Sequence, residues 1–258
     1  MGQESQNRSQ QWLEDQIAIV TGGGTGIGLA ISLGLSQAGA RVVLLGRREG
    51  VLQEAARSIG SQATCEVYDV KQTAGSDQLI ERISDKVGTP TILINNAGIH
   101  LKKPALETSD EEFDAVIQTH VNGAFALSRS AARRMAKLKQ GSIVFVSSMA
   151  AIFGIPQVVA YSAAKTAQIG LVRALASECS VHGVRVNAIA PGWIETEMSK
   201  KAFDQDPARR ERVLQRTPLN RLGKPEEIAS VVTFLCSEAA SFVNGVVLPV
   251  DGGASIGF

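Results

Sequence analysis

Ile17-Ala-Ile-Val-Thr21 runs directly into Gly22-Gly-Gly-Thr-Gly26-Ile-Gly28, and the helically spaced set Leu29, Leu33, Ser36 and Ala40 follows without a break. The apolar run predicts a strand buried on both faces. The glycines allow a tight turn and let backbone N–H groups approach a pyrophosphate at the start of a helix. A glycine-rich stretch alone is weak evidence; the strand before it and the helix after it give it meaning. Its spacing, Gly-x-x-x-Gly-x-Gly, is wider than the common Gly-x-Gly-x-x-Gly fingerprint. Working outward, strand-like runs recur at residues 41–45, 64–68, 91–95, 142–147, 185–189 and 246–250, separated by helical patterns such as Ala164, Ala167, Leu171 and Leu175. Seven strands alternating with helices predict an α/β protein, a doubly wound, parallel, seven-stranded sheet with helices on both faces. The eighth strand–helix pair that a β/α barrel requires is missing from the pattern.

The 258 residues carry 26 Lys+Arg against 25 Asp+Glu, with 44% hydrophobic and 20% charged residues. That composition suits a globular protein with a substantial core, and the near-zero net charge argues against a nucleic-acid or anionic-membrane surface. Apolar runs such as 17–20 and 143–146 are far too short to span a membrane. Residues 1–15 have no apolar centre, so no signal peptide is expected, and Gln6 stands where a myristoylation pattern needs Ser or Thr. Cys65, Cys179 and Cys236 are isolated, which points to a reduced, cytoplasmic protein without a metal site. Residues 1–14 are expected to be a disordered polar tail and 15–258 a single domain, with 193–222 a mobile helical flap.

Four ordered motifs resemble one family. Thr21-Gly22-x-x-x-Gly26-x-Gly28, Asn95-Asn96-Ala97-Gly98, Tyr161-x-x-x-Lys165 and Pro191-Gly192 are similar to those of the single-domain short-chain dehydrogenase/reductase family, from about residue 15 to the end. The resemblance implies a Rossmann fold and metal-free hydride transfer between a nicotinamide and a carbonyl/alcohol pair. It assigns cofactor contacts to Gly22, Thr25, Gly26, Ile27, Gly28, Asn96, Ala97, Gly98, Pro191 and Gly192. It adds Asp69 and Val70 at the adenine and Ile194 and Thr196 at the nicotinamide carboxamide. The second strand ends in Gly46-Arg47-Arg48, where an NAD enzyme carries a carboxylate for the ribose hydroxyls. Arg47 and Arg48 suit a 2′-phosphate instead, so NADP is the expected cofactor and NAD the alternative.

Tyr161 and Lys165, four apart, share one helix face, and Ser148 ends the fifth strand 13 residues earlier, the family's spacing. The resemblance makes Tyr161 the acid–base group and Lys165 the ammonium that lowers its pKa, with both touching cofactor. Ser148 then polarises the carbonyl. A phenol near its free pKa of ~10 needs a shift of up to ~3 units to work near neutrality. The family's fourth catalytic residue, an Asn, opens a segment closed by Phe. In His120-Val121-Asn122-Gly123-Ala124-Phe125 that place falls to His120, 28 residues before Ser148. In the family the residue offers a backbone carbonyl holding a water beside the lysine, which any residue supplies. An imidazole is equally able to relay protons.

Substrate choice sits in loops. In His100-Leu-Lys102-Lys103-Pro104 two ammonium groups suit a carboxylate. This loop and residues 216–223 resemble gluconate 5-dehydrogenase-like members, so the expected small-molecule substrate is a sugar acid or other keto-acid. The alternative is a 3-oxoacyl-carrier-protein reductase, whose carrier docks on two basic residues, here Lys139 and His182. A non-catalytic dinucleotide sensor is the third reading, and the intact Ser148, Tyr161 and Lys165 count against it. The helix bearing Tyr161 is apolar on more than one face, and the chain closes with an edge strand and Ile256-Gly-Phe258. Two such contacts predict a homotetramer.

Overall fold

Val- and Ile-rich runs form the strands expected of them in the computed structural model, which describes residues 12–257. The strands are β1 (Ile17–Thr21), β2 (Arg41–Gly46), β3 (Ala63–Val67), β4 (Ile92–Asn95), β5 (Gly141–Val146), β6 (Val184–Pro191) and β7 (Val247–Val250). They make one parallel sheet in the order β3-β2-β1-β4-β5-β6-β7. β1 and β4 are buried along their whole length, as strands covered by helices on both faces must be. β3 and β7, at the two edges, are only partly covered.

The helices are α1 (Gly26–Gln37), α2 (Glu49–Ile59), α3 (Ser76–Lys86), α4 (Asp110–Ile117), α5 (Ala124–Leu138), α6 (Val159–Cys179), α7 (Glu197–Asp204), α8 (Pro207–Arg216) and α9 (Pro225–Cys236). Ile31 and Leu35 of α1, Leu52 of α2 and Ile228 and Val232 of α9 pack on one side of the sheet. Ile80 and Ile83 of α3, Leu127 and Met135 of α5 and Val172 of α6 fill the other. No helix among the described residues is long and apolar enough to cross a membrane.

Most strand ends fall within one residue of the sequence reading, and two details depart further. β6 runs two residues beyond its expected end, because Ala190 and Pro191 still pair with Pro249 and Val250 of β7. The polar tail was expected to reach residue 14. Leu13 is instead fully buried, with its amide bonded to the Ala38 carbonyl at 2.9 Å. The packed body therefore reaches back at least that far; residues 1–11 lie outside the described residues, as does Phe258.

Between α4 and α5 the chain widens into a π-helical turn, Gln118–Gly123. A Cβ on Gly123 would press on the Val70 carbonyl oxygen at 2.6 Å, so only glycine allows this packing. The flap folds as α7 and α8, its base closed by a bridge between Ile194 and Gly223. Strand order reverses at β1, whose neighbours β2 and β4 lie on opposite sides, so a crevice opens beyond the carboxyl ends of β1 and β4.

Candidate active site and cofactor crevice

At the carboxyl end of β1 the buried Thr21 hydroxyl donates to the Ile94 carbonyl at 3.1 Å. It accepts from the amides of Asn96 and Ala97, both at 2.9 Å. Asn96 Nδ2 returns bonds to the carbonyls of Thr21 and Gly22 at 2.9 and 3.3 Å. The glycine loop is thereby fastened to the Asn96-Ala97-Gly98 segment. Gly22 and Gly26 take positive φ, 64° and 54°, as the turn requires. A Cβ on Gly28 would collide with the Gly22 carbonyl oxygen. Thr25 caps α1 without a side-chain bond, no acid lies in the first turn, and Thr25 and Gly26 are exposed. The helix start is thus open to an anion.

The other expected cofactor residues surround this cradle. Thr196 Cγ2 stands 3.7 Å from where a Cβ on Gly26 would be, bringing the start of the flap over the loop. Gly192, after Pro191, packs against Asp251, and Ile194 is buried beside it at the flap base. Asp69, just after β3, is held by Lys71, and Val70 touches the π turn. Arg47 and Arg48 follow β2, exposed and without an ion pair among the described residues.

Ser148 follows β5 and accepts the Ala150 amide at 3.1 Å, capping a short 3-10 turn. Tyr161 and Lys165 come from the first turns of α6, which the Ser147 hydroxyl pins to β5 by a 3.0 Å bond to the Lys165 carbonyl. The Lys165 ammonium is buried, bonded to the Val146 carbonyl at 2.7 Å and to Gln168 Oε1 at 3.4 Å, and it lies 5.4 Å from the centre of the Tyr161 ring. Burial pulls it down to about 7. The expectation of a depressed phenol is not met by the chain alone. Burial raises Tyr161, and only the Ser148 hydroxyl pulls the other way.

Two imidazoles meet the Tyr161 ring edge-on, His100 at 5.3 Å and His120 at 5.5 Å between centroids. His120 is buried in the π turn, its Nε2 against the amide and carbonyl of Ile99 at 3.0 and 2.8 Å. Gly98 has no room for a Cβ because the His120 ring occupies it. Burial, and then the Lys165 charge, lower His120 to about 3, so the ring is neutral at any working pH. Its backbone carbonyl accepts from Gln168 Nε2 at 2.9 Å. Gln168, absent from the sequence reading, was detectable as a polar residue one turn after Lys165 on the face α6 buries.

On the substrate side one expectation fails. Lys103 is held by Glu112 at 2.8 and 3.0 Å, the same carboxylate that accepts the Ser109 amide in the α4 capping box, so it is not a free cation. Lys102 is exposed. His100 is lowered by partial burial and by the positive charges of Arg209, from the basic pair Arg209-Arg210 on α8, and Lys102, so the flap's charge reaches the substrate side.

A model of the enoyl-(acyl carrier protein) reductase group matches residues 22–255. The chain is 36% identical to a 3-oxoacyl-[acyl-carrier-protein] reductase of Thermotoga maritima over 247 residues, 95% of this chain and 99% of that one. It is 39% identical to a galactitol 2-dehydrogenase (L-tagatose-forming) of Cereibacter sphaeroides over 246 residues, 95% and 96% of the two chains. A crystal structure of a gluconate 5-dehydrogenase from Burkholderia cenocepacia, in complex with NADP and tartrate, superposes with a TM-score of 0.92 at 32% identity over 96% of this chain and 98% of that one. With the glycine cradle, the Ser148–Tyr161–Lys165 cluster and matches that span nearly the whole chain, the protein belongs to the short-chain dehydrogenase/reductase family.

Proposed function

We propose that the protein is an NADP(H)-dependent oxidoreductase acting on the carbonyl/secondary alcohol pair of a small carboxylated substrate, a sugar acid or other keto-acid. The observation that carries this reading is the convergence of Ser148, Tyr161 and Lys165 beside the glycine cradle. The cradle fits a dinucleotide: Thr25 and Gly26 at the start of α1 are exposed, the cap makes no side-chain bond, and the first turn holds no acid to repel phosphate. Gly22, Thr25, Gly26, Ile27 and Gly28 would hold the pyrophosphate, and Arg47 and Arg48 the 2′-phosphate. Asp69 and Val70 would border the adenine. Asn96, Ala97, Gly98, Pro191, Gly192, Ile194 and Thr196 would line the remaining length, the last two at the carboxamide. When bound, the nicotinamide gives or takes the hydride.

The chain's own groups handle the proton and the charge. Tyr161, protonated at neutral pH because burial raises it, donates to the substrate oxygen as that oxygen gains an electron pair. Ser148 donates a hydrogen bond to the same oxygen, and the Lys165 ammonium offsets the charge left on the phenol. Hydride plus proton turns the carbonyl into the alcohol, and the reverse path returns both. With Lys103 engaged by Glu112, Lys102 and Arg209 beside His100 are the cations for a substrate carboxylate. The tartrate in the related gluconate 5-dehydrogenase complex supports a carboxylated ligand. The carrier-protein reading keeps the support of the Thermotoga maritima relative. Its docking pair, Lys139 and His182, precedes β5 and β6, whereas Ser148 follows β5. A six-residue strand separates them by roughly 20 Å, so a carrier docked there would have to serve a second subunit.

We also infer a homotetramer in a cytoplasmic, reducing setting. α6 turns exposed Ala167, Gly170 and Ala174 outward opposite its buried face. Exposed Phe242 and Ile256 flank the β7 edge. The three cysteines are free.

NADPH oxidation with a panel of keto-acids and a 3-oxoacyl-carrier substrate should favour the keto-acids. Tyr161→Phe should leave less than about 1% of kcat with cofactor binding intact, and substantial residual turnover would refute the assignment. Arg47→Asp should shift preference toward NADH by about tenfold or more, since repulsion replaces attraction at the 2′-phosphate; a wild type that already prefers NADH overturns the cofactor reading. His120→Asn should retain activity and leave the pH–rate curve without a lost limb near ~6.5, because the ring never charges. The unfolded chain, however, protonates His120 below about 6.5 and the fold only near 3. Wild type therefore loses up to about 1.4 kcal/mol of stability per pH unit in that window, and thermal melts at falling pH should move in favour of the variant. Light scattering should give a mass near four chains; a mass near one removes both contacts and near two removes one of them.

A further inference from the structure

Gln168 joins two groups that the sequence motifs treat separately. Its side chain is almost fully buried, one turn beyond Lys165 on α6. Oε1 accepts from the Lys165 ammonium at 3.4 Å while Nε2 donates to the His120 carbonyl at 2.9 Å. The donor end fixes which way the amide faces, because an amide turned over would set oxygen against the carbonyl and NH2 against the ammonium. Lys165 makes no ion pair among the described residues; its other acceptor is the Val146 carbonyl.

We infer that Gln168 is a positioning residue for the active-site lysine, its amide standing between Lys165 and the His120 carbonyl and holding Lys165 in its charged form. The inference rests on the proposed role of Lys165 as the charge beside Tyr161. A buried ammonium without a carboxylate depends on neutral acceptors, and each one lost makes the neutral amine more favourable. The oriented amide is an acceptor that no water has to supply, and it ties the charge on α6 to the π turn between α4 and α5. The other groups facing this pair are Tyr161 on α6, Ser148 after β5, His120 in the π turn and His100 after β4. Lys102 and Arg209 stand beyond His100. His120 is neutral throughout and adds no charge of its own to the Lys165 titration, which burial sets and its acceptors oppose.

Gln168→Met keeps the length and removes both polar ends. Gln168→Glu keeps an oxygen for Lys165, adds a negative charge and gives up the donor to His120. Full-length protein labelled with 13C-lysine, with Lys165→Met to assign the resonance, gives the Lys165 titration by NMR without turnover. The methionine variant should lower the Lys165 midpoint by about half a pH unit or more, and the glutamate variant should raise it by a comparable amount. The alkaline limb of the reduction kcat should move in the same two directions, with KM for NADPH changed less than kcat. A merely structural role would lower stability in both variants and leave the midpoint in place. An unmoved midpoint, or movement in the same direction in both, overturns the inference. If only one variant folds, the sign of its shift decides. Inactivity of the wild type toward carbonyls would refute the proposed reaction but leave the NMR result standing.

Discussion

The Thr21 hydroxyl satisfies three backbone groups at the point where the sheet divides: the Ile94 carbonyl and the amides of Asn96 and Ala97. A parallel sheet whose strand order reverses must open a crevice there, and a crevice exposes backbone that each strand would otherwise pair. The Asn96 amide also reaches the Ile94 carbonyl at 3.2 Å, whereas the Ala97 amide bonds to the Thr21 hydroxyl; an amide shut from water without an acceptor would cost about 1–3 kcal/mol. The clasp also sets the distance between the glycine loop and the Asn96–Gly98 segment. Asn96 reinforces it from the other side, and Gly28 is admitted only because nothing but hydrogen projects from it. The anion-binding helix start and the far wall of the crevice are thus two sides of one hydrogen-bonded unit.

On the neighbouring strand the constraint is electrical. Lys165 brings an ammonium into the interior on a helix whose buried face is otherwise Ala, Val and the single amide Gln168. Interior burial lowers Lys165 and raises Tyr161, opposite directions with one cause, since each shift favours the uncharged form. A neutral phenol beside a lysine poised near neutrality makes the charge state of the pair sensitive to small changes in its neighbours. That sensitivity is why the acceptors around Lys165, and not the tyrosine alone, decide what the pair can do.

The sheet was legible because strands covered on both faces must be continuously apolar, and the runs that became β1, β4 and β5 are. The glycine loop, Asn95–Gly98, Tyr161–Lys165 and Pro191-Gly192 were legible as ordered motifs, and the fold sets them after or beside the carboxyl ends of β1, β4, β5 and β6. What escaped depends on partners distant in sequence. Leu13 is a lone apolar residue in a polar run, and only the Ala38 carbonyl and the core behind it explain its burial. Lys103 read as a free cation because Glu112 reaches it only after the chain turns into α4. At His120 the sequence left open whether the carbonyl or the imidazole acts, because a histidine's charge depends on what encloses it, here Gly98, Ile99 and the Tyr161 ring. Gln168 left a trace, a polar residue on a buried face, without saying which two groups it joins.

The substrate side was least legible for a physical reason. Among the described residues α7 and α8 bury Phe203 and Val213, and Arg216 at the end of α8 ties the flap to the body through the Ala254 carbonyl and the Phe153 ring. Arg209 sits 6.0 Å above Phe203 within the flap, and Arg216 sits 4.2 Å above Phe153, just beyond the Ser148 turn. Such contacts hold a segment in place for about 0.5–2 kcal/mol each, far less than an apolar core would. The same segment carries Arg209 toward His100 and thus toward Tyr161. Arg209 thus places a positive charge on the substrate side of the phenol, near enough to His100 to lower it.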